Sequence, residues 1–239
     1  MIGNGEVWLG GVGNAPPYTV LIIAINNAVP ATPTPGSTAT RIQFEPGATS
    51  AAVEGRLNAG EVKSYILRAL AGQTMMVSLD SPQGDVFLTI YGVDDGQPLV
   101  RSAAGATYWQ GQLPATQDYM ILAVAGGEAT NFSLQVIIPY IIKFAPGGTS
   151  AVVEGNVRAG SIIRYLLRAQ AGQTMTVNIT SPNMDVLLTI YGLDDGQPLV
   201  RSVSGATSWT GTLPATQDYV IDAVSVGGDT SFTLGVTIK

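Results

Sequence analysis

The second half of the chain repeats the first at a fixed offset of 100 residues, with no insertion or deletion. Residues 41–139 and 141–239 are identical at 61 of 99 positions, and blocks such as AGQTM, DDGQPLVRS and LPATQDY are unchanged. This repeat fixes the domain plan, because both copies must fold in the same way. We therefore expect two similar domains, 41–139 and 140–239. Tandem arrays of this kind are typical of structural and binding proteins.

Each module reads as a series of short strands separated by Gly, Pro and Asp. In segment 86–91 the alternate residues Val86, Leu88 and Ile90 recur unchanged in the second copy, which marks the core face of a half-buried strand. The absence of a helical period predicts an all-β fold of two tandem antiparallel β-sandwich, jelly-roll-like domains, each with its own core. In the first copy we predict strands near 42–45, 51–57, 62–70, 74–80, 86–91, 98–102, 107–113, 118–125 and 131–138.

The first forty residues differ from the modules. Residues 28–40 are rich in Pro and Thr, which predicts a stiff, extended linker. Residues 1–27 reproduce the spacing of segment 109–119, with Trp8 in the place of Trp109 and Tyr18 in the place of Tyr119. They therefore read as an N-terminal β-hairpin, either part of a further module or a strand donated to a neighbouring subunit.

Composition excludes several classes of function. The chain has no cysteine and no histidine, which removes disulfides, thiol catalysis, the usual general base and the commonest metal ligand. Only 12% of residues are charged and the net charge is −6, so no basic stripe is present to neutralise nucleic-acid phosphates. The longest apolar run, 18–25, is too short to span a membrane. Such a weakly charged surface suits an extracellular or bacterial cell-surface protein.

Three motifs occur in both modules: Y-x-L-R-A-x-A-G-Q-T-M, D-V-x-L-x-I-Y-G and W-x-G-x-L-P-A-T-Q-D-Y-x-I. This pattern resembles the bacterial pre-peptidase C-terminal domain, a β-sandwich appended to secreted proteins, and is similar also to periplasmic lysozyme inhibitors of the same fold. The motifs imply the fold more strongly than a function. The inhibitor resemblance implies a Ser-Gly loop followed by an aromatic residue. Ser204-Gly205 before Trp209 matches that loop, but the first copy has Ala104 instead of serine.

Metal binding and catalysis both have weak support in the sequence. The Asp-Asp-Gly pairs at 94–96 and 194–196 could offer oxygens to Ca²⁺, but such a site needs six to eight oxygens, whereas a hairpin turn explains the motif completely. Without histidine, a serine nucleophile would need a lysine, and Lys63 is replaced by Ile163 in the second copy. We expect no cofactor and no enzymatic activity.

The leading prediction is a structural subunit of a surface filament or layer that assembles into a homopolymer. Its contacts are expected in the N-terminal strand, at Val20, Ile22 and Ile23. One alternative is a carbohydrate or cell-wall binding module of a larger secreted protein, and another is a lysozyme inhibitor. For a glycan or partner, the expected patch consists of aromatic residues: Tyr91, Trp109, Tyr191 and Trp209.

Overall fold

The computed structural model describes residues 39–239, which lie in a single compact unit. The predictions for the hairpin 1–27, for most of the linker 28–40 and for contacts at Val20, Ile22 and Ile23 concern residues outside this range. No helix among the described residues has the length and apolar character needed to cross a membrane.

The described residues form eighteen strands, nine in each module, together with two short 3-10 turns, as the repeat and the strand pattern predict. Module 1 contains β1 (Thr40–Arg41), β2 (Ser50–Leu57), β3 (Val62–Ala69), β4 (Thr74–Asp80), β5 (Val86–Gly92), β6 (Pro98–Val100), β7 (Tyr108–Gln112), β8 (Gln117–Ala125) and β9 (Thr130–Ile137). Module 2 contains β10 (Tyr140–Ile141), β11 (Ser150–Val157), β12 (Ile162–Ala169), β13 (Thr174–Thr180), β14 (Val186–Gly192), β15 (Pro198–Val200), β16 (Ser208–Thr212), β17 (Gln217–Ser225) and β18 (Thr230–Ile238).

Each module is a sandwich of a five-stranded and a four-stranded sheet. In module 1 the strand orders are β1-β3-β8-β5-β6 and β2-β9-β4-β7. Module 2 repeats both orders with β10-β12-β17-β14-β15 and β11-β18-β13-β16. All neighbours are antiparallel except the two-residue edge strands β1 and β10, which pair in parallel with β3 and β12. The all-β tandem-sandwich prediction is confirmed.

Each sandwich encloses a separate apolar core. Val86, Leu88 and Ile90 of β5 are fully buried in module 1, as the alternation in the sequence predicts. The buried cluster of module 1 takes all its members from residues 42–136, and that of module 2 from residues 142–238. In each core a tyrosine meets a phenylalanine edge-on, with ring centroids 6.3 Å apart, in the pairs Tyr65–Phe132 and Tyr165–Phe232. Neither core depends on the other module.

Segment 109–119, whose spacing suggests a hairpin in residues 1–27, does not itself form a hairpin. β7 pairs with β4 in the four-stranded sheet, whereas β8 pairs with β3 and β5 in the five-stranded sheet, so the segment between them crosses from one sheet to the other. Tyr119 fixes this corner, because its buried hydroxyl donates a hydrogen bond to the Ala115 carbonyl at 2.7 Å. Alternation alone cannot distinguish a hairpin from such a crossing, since both strands keep the same period.

The Asp94-Asp95-Gly96 segment is a turn, as the sequence predicts. Asp95 accepts hydrogen bonds from the Gln97 amide and from the side-chain amide of Gln117, both at 2.9 Å. The Gln117 side chain, which is 1% exposed, also accepts the amide of Asp94. These hydrogen bonds hold the pKa of Asp95 below its usual range. Gln217 and Asp195 repeat the arrangement in module 2, which explains why both blocks are unchanged between copies.

Candidate functional site: a groove between the two modules

The two modules pack against each other through the outer faces of two sheets. Met76 on β4, Leu166 on β12 and Val220 on β17 form a small buried cluster that is separate from both cores. Ile137, Tyr191 and Leu193 pack around this cluster. The four-stranded sheet of module 1 therefore covers the five-stranded sheet of module 2. Burial of these side chains favours a fixed arrangement of the modules, because separating them would expose apolar surface.

A buried ion pair lies in the same interface. Arg164 donates from Nε and Nη2 to the two carboxylate oxygens of Asp222, each at 2.7 Å, and the two side chains are 16% and 4% exposed. The guanidinium lies over the Tyr191 ring, 5.8 Å from its centroid, and its Nη1 approaches the Met76 sulfur at 3.9 Å. A bidentate pair of this kind fixes direction as well as distance. Asp222 thus holds the Arg164 guanidinium in a fixed orientation in the interface between the modules.

A hydrogen bond and an ion pair at the edge of the interface also connect the two modules. The Arg164 amide donates to the Thr49 hydroxyl at 2.9 Å, and Thr49 is 1% exposed. At the surface, Arg158 of module 2 pairs with Glu45 of module 1 at 3.2 Å. This exposed pair adds little stability, since solvent screens it. Of these two contacts, the buried hydrogen bond to Thr49 therefore stabilises the interface more.

Beside the buried cluster, the two modules enclose an open groove of about 620 Å³. Module 1 contributes one wall and module 2 the other, so the groove exists only when the modules are packed together. Its surface combines aromatic rings, apolar side chains and hydrogen-bonding groups. It is lined by Met76, Ser78, Tyr108, Trp109, Gln110, Gln135 and Ile137 of module 1 and by Arg164, Tyr191, Leu193, Asp194 and Gly196 of module 2.

Three aromatic side chains face this groove with different degrees of burial. Tyr108, at the start of β7, is 53% exposed and donates from its hydroxyl to Gln110. Trp109 packs partly against the core of module 1, with its ring over Gly111, where an added Cβ would lie 2.7 Å from the ring. Burial raises the pKa of Tyr191 to about 12, and the negative charge of Asp222 adds to this effect. All three rings are therefore neutral at physiological pH.

The structure brings together two of the four aromatic residues predicted to form a ligand patch. Trp109 and Tyr191 line the same groove, from opposite modules. Trp209 instead packs against the core of module 2, and Tyr91 lies on the outer face of the five-stranded sheet of module 1. Trp109 and Trp209 are equivalent positions in the two four-stranded sheets. Of these two sheets, that of module 1 packs against the other module, which explains the separation.

Sequence reasoning missed Tyr108 and Arg164. Both occupy positions at which the two copies differ, since Ser208 and Ser64 stand at the equivalent places. The unchanged positions mostly build the core that both modules share. Several residues that contact the other module, such as Met76, Tyr108 and Arg164, lie at positions that differ between the copies. A comparison of differences between copies could therefore have pointed to both residues.

The other candidate sites remain separate from the groove or have structural roles. Among residues 39–239, no group of three acidic side chains is placed to hold a metal ion. Asp85 accepts a hydrogen bond from the Ser81 hydroxyl, while the Asp85 amide donates back to that oxygen. In the Ser-Gly loop of module 2, the Ser204 hydroxyl donates to the Arg201 carbonyl at 2.8 Å, and the neighbouring Val203 is 92% exposed.

Comparison with known proteins gives likenesses to solved structures only. No protein-family model and no curated protein matches the chain. The periplasmic inhibitor of g-type lysozyme PliG from Aeromonas hydrophila is 28% identical, with a TM-score of 0.38, and the match covers 42% of this chain and 96% of that one. PliG from Salmonella Typhimurium is 21% identical over the same shares, with a TM-score of 0.34. The PBSX exported protein XepA is 12% identical, with a TM-score of 0.24, over 80% of this chain and 86% of that one.

Proposed function

We propose that this protein is a non-enzymatic binding protein and that the groove between its modules holds a neutral carbohydrate. The observation that supports this proposal is the meeting of Tyr108, Trp109 and Tyr191 in one groove with several uncharged polar side chains. Aromatic rings provide apolar faces on which a sugar ring can stack. Ligand sites are commonly concave and lie between domains, where a few polar groups set the orientation.

The polar groups of the groove suit hydroxyl groups better than a charged ligand. Gln110 accepts the Tyr108 hydroxyl through its side-chain carbonyl, which leaves its NH₂ group free to donate. Ser78 and Gln135 can each both donate and accept. Asp222 already neutralises Arg164, and Asp194 adds one negative charge to the rim. An acidic sugar would therefore be repelled more than attracted.

The groove offers positions for binding but no arrangement for bond cleavage. Glycoside hydrolysis uses two carboxyl groups on either side of the bond. Here the Asp222 carboxylate is occupied by Arg164, so Asp194 is the single unpaired carboxylate among the residues that line the groove. We therefore infer binding without turnover. A glycan of the cell wall is the natural candidate, and an extracellular or periplasmic location belongs to the same proposal.

A glycan array tests the proposal with matched variants. The native chain is expected to bind neutral oligosaccharides, and Tyr108→Ala and Tyr191→Ala are each expected to weaken binding by at least tenfold. Ser208→Ala and Tyr91→Ala change the equivalent positions outside the groove, so they should bind like the native chain. Equal binding by all four variants, or no binding to any glycan by the folded native chain, would contradict the proposal.

A further inference from the structure

In the contact between the modules, one sheet surface of module 2 packs against one sheet surface of module 1. The outer face of the five-stranded sheet of module 2 is covered by module 1, and Leu166 and Val220 on this face are 2% and 0% exposed. The covering surface is the outer face of the four-stranded sheet of module 1, centred on Met76. We call the first type of surface an acceptor face and the second a donor face.

Module 1 has its own acceptor face, on the sheet β1-β3-β8-β5-β6. Ile66, Met120 and Tyr91 stand at the positions of Leu166, Val220 and Tyr191, and all three are partly exposed. At its edges Val62 and Val93 are 39% and 42% exposed. This surface of module 1 therefore has apolar, partly exposed residues at the positions whose equivalents in module 2 are packed against module 1.

The acceptor face of module 1 is more apolar than its counterpart. Where module 2 has the Arg164–Asp222 ion pair, module 1 has Ser64 opposite Leu122 on the neighbouring strand. Both members of the pair differ between the copies, and they face each other on neighbouring strands. A surface without this charge pair needs no polar partner at its centre.

The donor face of module 2 has lost its apolar character. Thr176 stands in the place of Met76, and Thr237 in the place of Ile137. Ser208 also replaces Tyr108. The polar positions Ser78, Gln110 and Gln135 of module 1 stay small or polar in module 2, as Asn178, Thr210 and Gly235. Repeat proteins end in modules with a polar outer face, because no further module covers them. Module 2 has the character of such an end, whereas module 1 has the character of an internal module.

We propose that the acceptor face of module 1 docks the apolar donor face of another β-sandwich module of the same repeat. The covered acceptor face of module 2 supports this choice of occupant, since the same sheet in the same position is covered by such a module. A second copy of this chain does not meet the requirement, because its donor faces are either covered (module 1) or polar (module 2). The partner is therefore a module whose donor face is free.

Module 1 alone, residues 39–139, provides a defined probe. Its buried core takes no residue from module 2, so the fragment is expected to fold by itself. Without module 2, its donor face is free and its acceptor face is intact. We expect this fragment to associate head-to-tail in sedimentation experiments. Met76→Asp on the donor face and Met120→Asp on the acceptor face should each give monomers, and an equimolar mixture of the two variants should give a one-to-one complex.

The full chain is then tested with the Met120→Asp fragment, which keeps a free donor face. We expect one fragment to bind each native chain, and Met120→Asp in the full chain should weaken binding at least tenfold. Thr176→Asp, on the polar face of module 2, is the matched control and should leave binding unchanged. Circular dichroism checks folding, and Ile66→Thr serves as a milder second acceptor variant.

Four results would overturn the proposal. One is the absence of association by the folded fragment. Another is a Met76→Asp fragment that still forms dimers, which would mean that two acceptor faces pack on each other. A third is binding of the fragment to residues 39–239 but not to the full chain, which would assign the face to the chain's own N-terminal segment. The last is equal binding by the Met120→Asp full chain.

Discussion

Single residues at turns differ between the copies in ways that have physical consequences. Met184 has φ of 54°, a left-handed conformation that L-residues other than glycine rarely adopt, and it is 79% exposed. The equivalent position in module 1 is Gly84, with φ of 66°. Duplication has therefore placed a strained residue in module 2, and its exposed side chain gains little packing in return.

We predict that Met184→Gly stabilises the protein. Relief of the left-handed strain exceeds the extra entropy that glycine loses on folding, so the free energy of unfolding should rise by about 0.5–1 kcal/mol. Urea denaturation of the native chain and the variant measures this difference. The reverse change in module 1, Gly84→Met, should lower stability by a similar amount. A Met184→Gly protein that is less stable than the native chain would refute this explanation.

At the scale of strands and sheets, alternation in the sequence predicts each strand well but not its partner. The buried set Val86, Leu88 and Ile90 could be read directly from the period of two. The crossing from β7 to β8 could not, because the hydrogen bond from Tyr119 to the Ala115 carbonyl is a contact that no periodicity reveals. The first predicted strand, 42–45, is also misplaced, since the short strand β1 ends at Arg41 and pairs in parallel.

The interface between sheets was the least predictable part of the candidate site. The aromatic chemistry of Trp109 and Tyr191 predicts a ligand patch, but their meeting depends on how one module packs on the other. Arg164 differs from Ser64 of the first copy, but the sequence does not indicate its burial, since arginines in strands commonly lie at the surface. Only the packing shows that it is largely buried with Asp222. Module packing is a long-range property, and one sequence gives no direct measure of it.

The Arg164–Asp222 pair allows a double-mutant test of the interface. Arg164→Ser alone leaves the buried Asp222 without a partner, which should cost about 3–5 kcal/mol in the free energy of unfolding. The double variant Arg164→Ser/Asp222→Leu recreates the residues of module 1, Ser64 and Leu122, and should be more stable than the Arg164→Ser variant. Chemical denaturation measures the native chain, the two single variants Arg164→Ser and Asp222→Leu, and the double variant. A double variant whose loss equals the sum of the single losses would show that the two residues are not coupled.

The burial of Tyr191 predicts a dependence of stability on alkaline pH. Burial first, and then the charge of Asp222, raise the pKa of Tyr191 from 10.0 to about 12 in the folded protein. The unfolded chain therefore loses this proton at a lower pH than the folded chain does. The stabilising effect is complete below pH 10 and is lost as the pH rises from 10 to about 12.

Denaturation at a series of pH values measures this effect. Tyr191→Phe should reduce the fall in the free energy of unfolding above pH 10, because phenylalanine cannot ionise. Tyr91→Phe is the matched control at the equivalent position of module 1, where burial raises the pKa of the tyrosine but no second charge contributes. We expect this control to change the alkaline profile less than Tyr191→Phe does. The opposite order would contradict the buried position of Tyr191.

At the scale of the whole molecule, the two modules are copies with different surfaces. The shared core residues make the same sandwich twice, whereas the residues that differ make module 1 cover module 2 and give module 2 a polar outer face. The polar face of module 2 does not favour indefinite extension by this type of contact. Assembly into a filament through residues 1–27 and inhibition of lysozyme both remain predictions. The groove is lined by residues of both modules, so it requires both modules together.

Tryptophan fluorescence during titration with neutral oligosaccharides tests the groove most directly. Trp109 lines the groove, and Trp209 occupies the equivalent position of module 2 outside it. The native chain and the Trp209→Phe variant should both show a saturable change in fluorescence, and the Trp109→Phe variant should lose most of it. A change that disappears with Trp209→Phe but persists with Trp109→Phe would place binding elsewhere and contradict the groove as the ligand site.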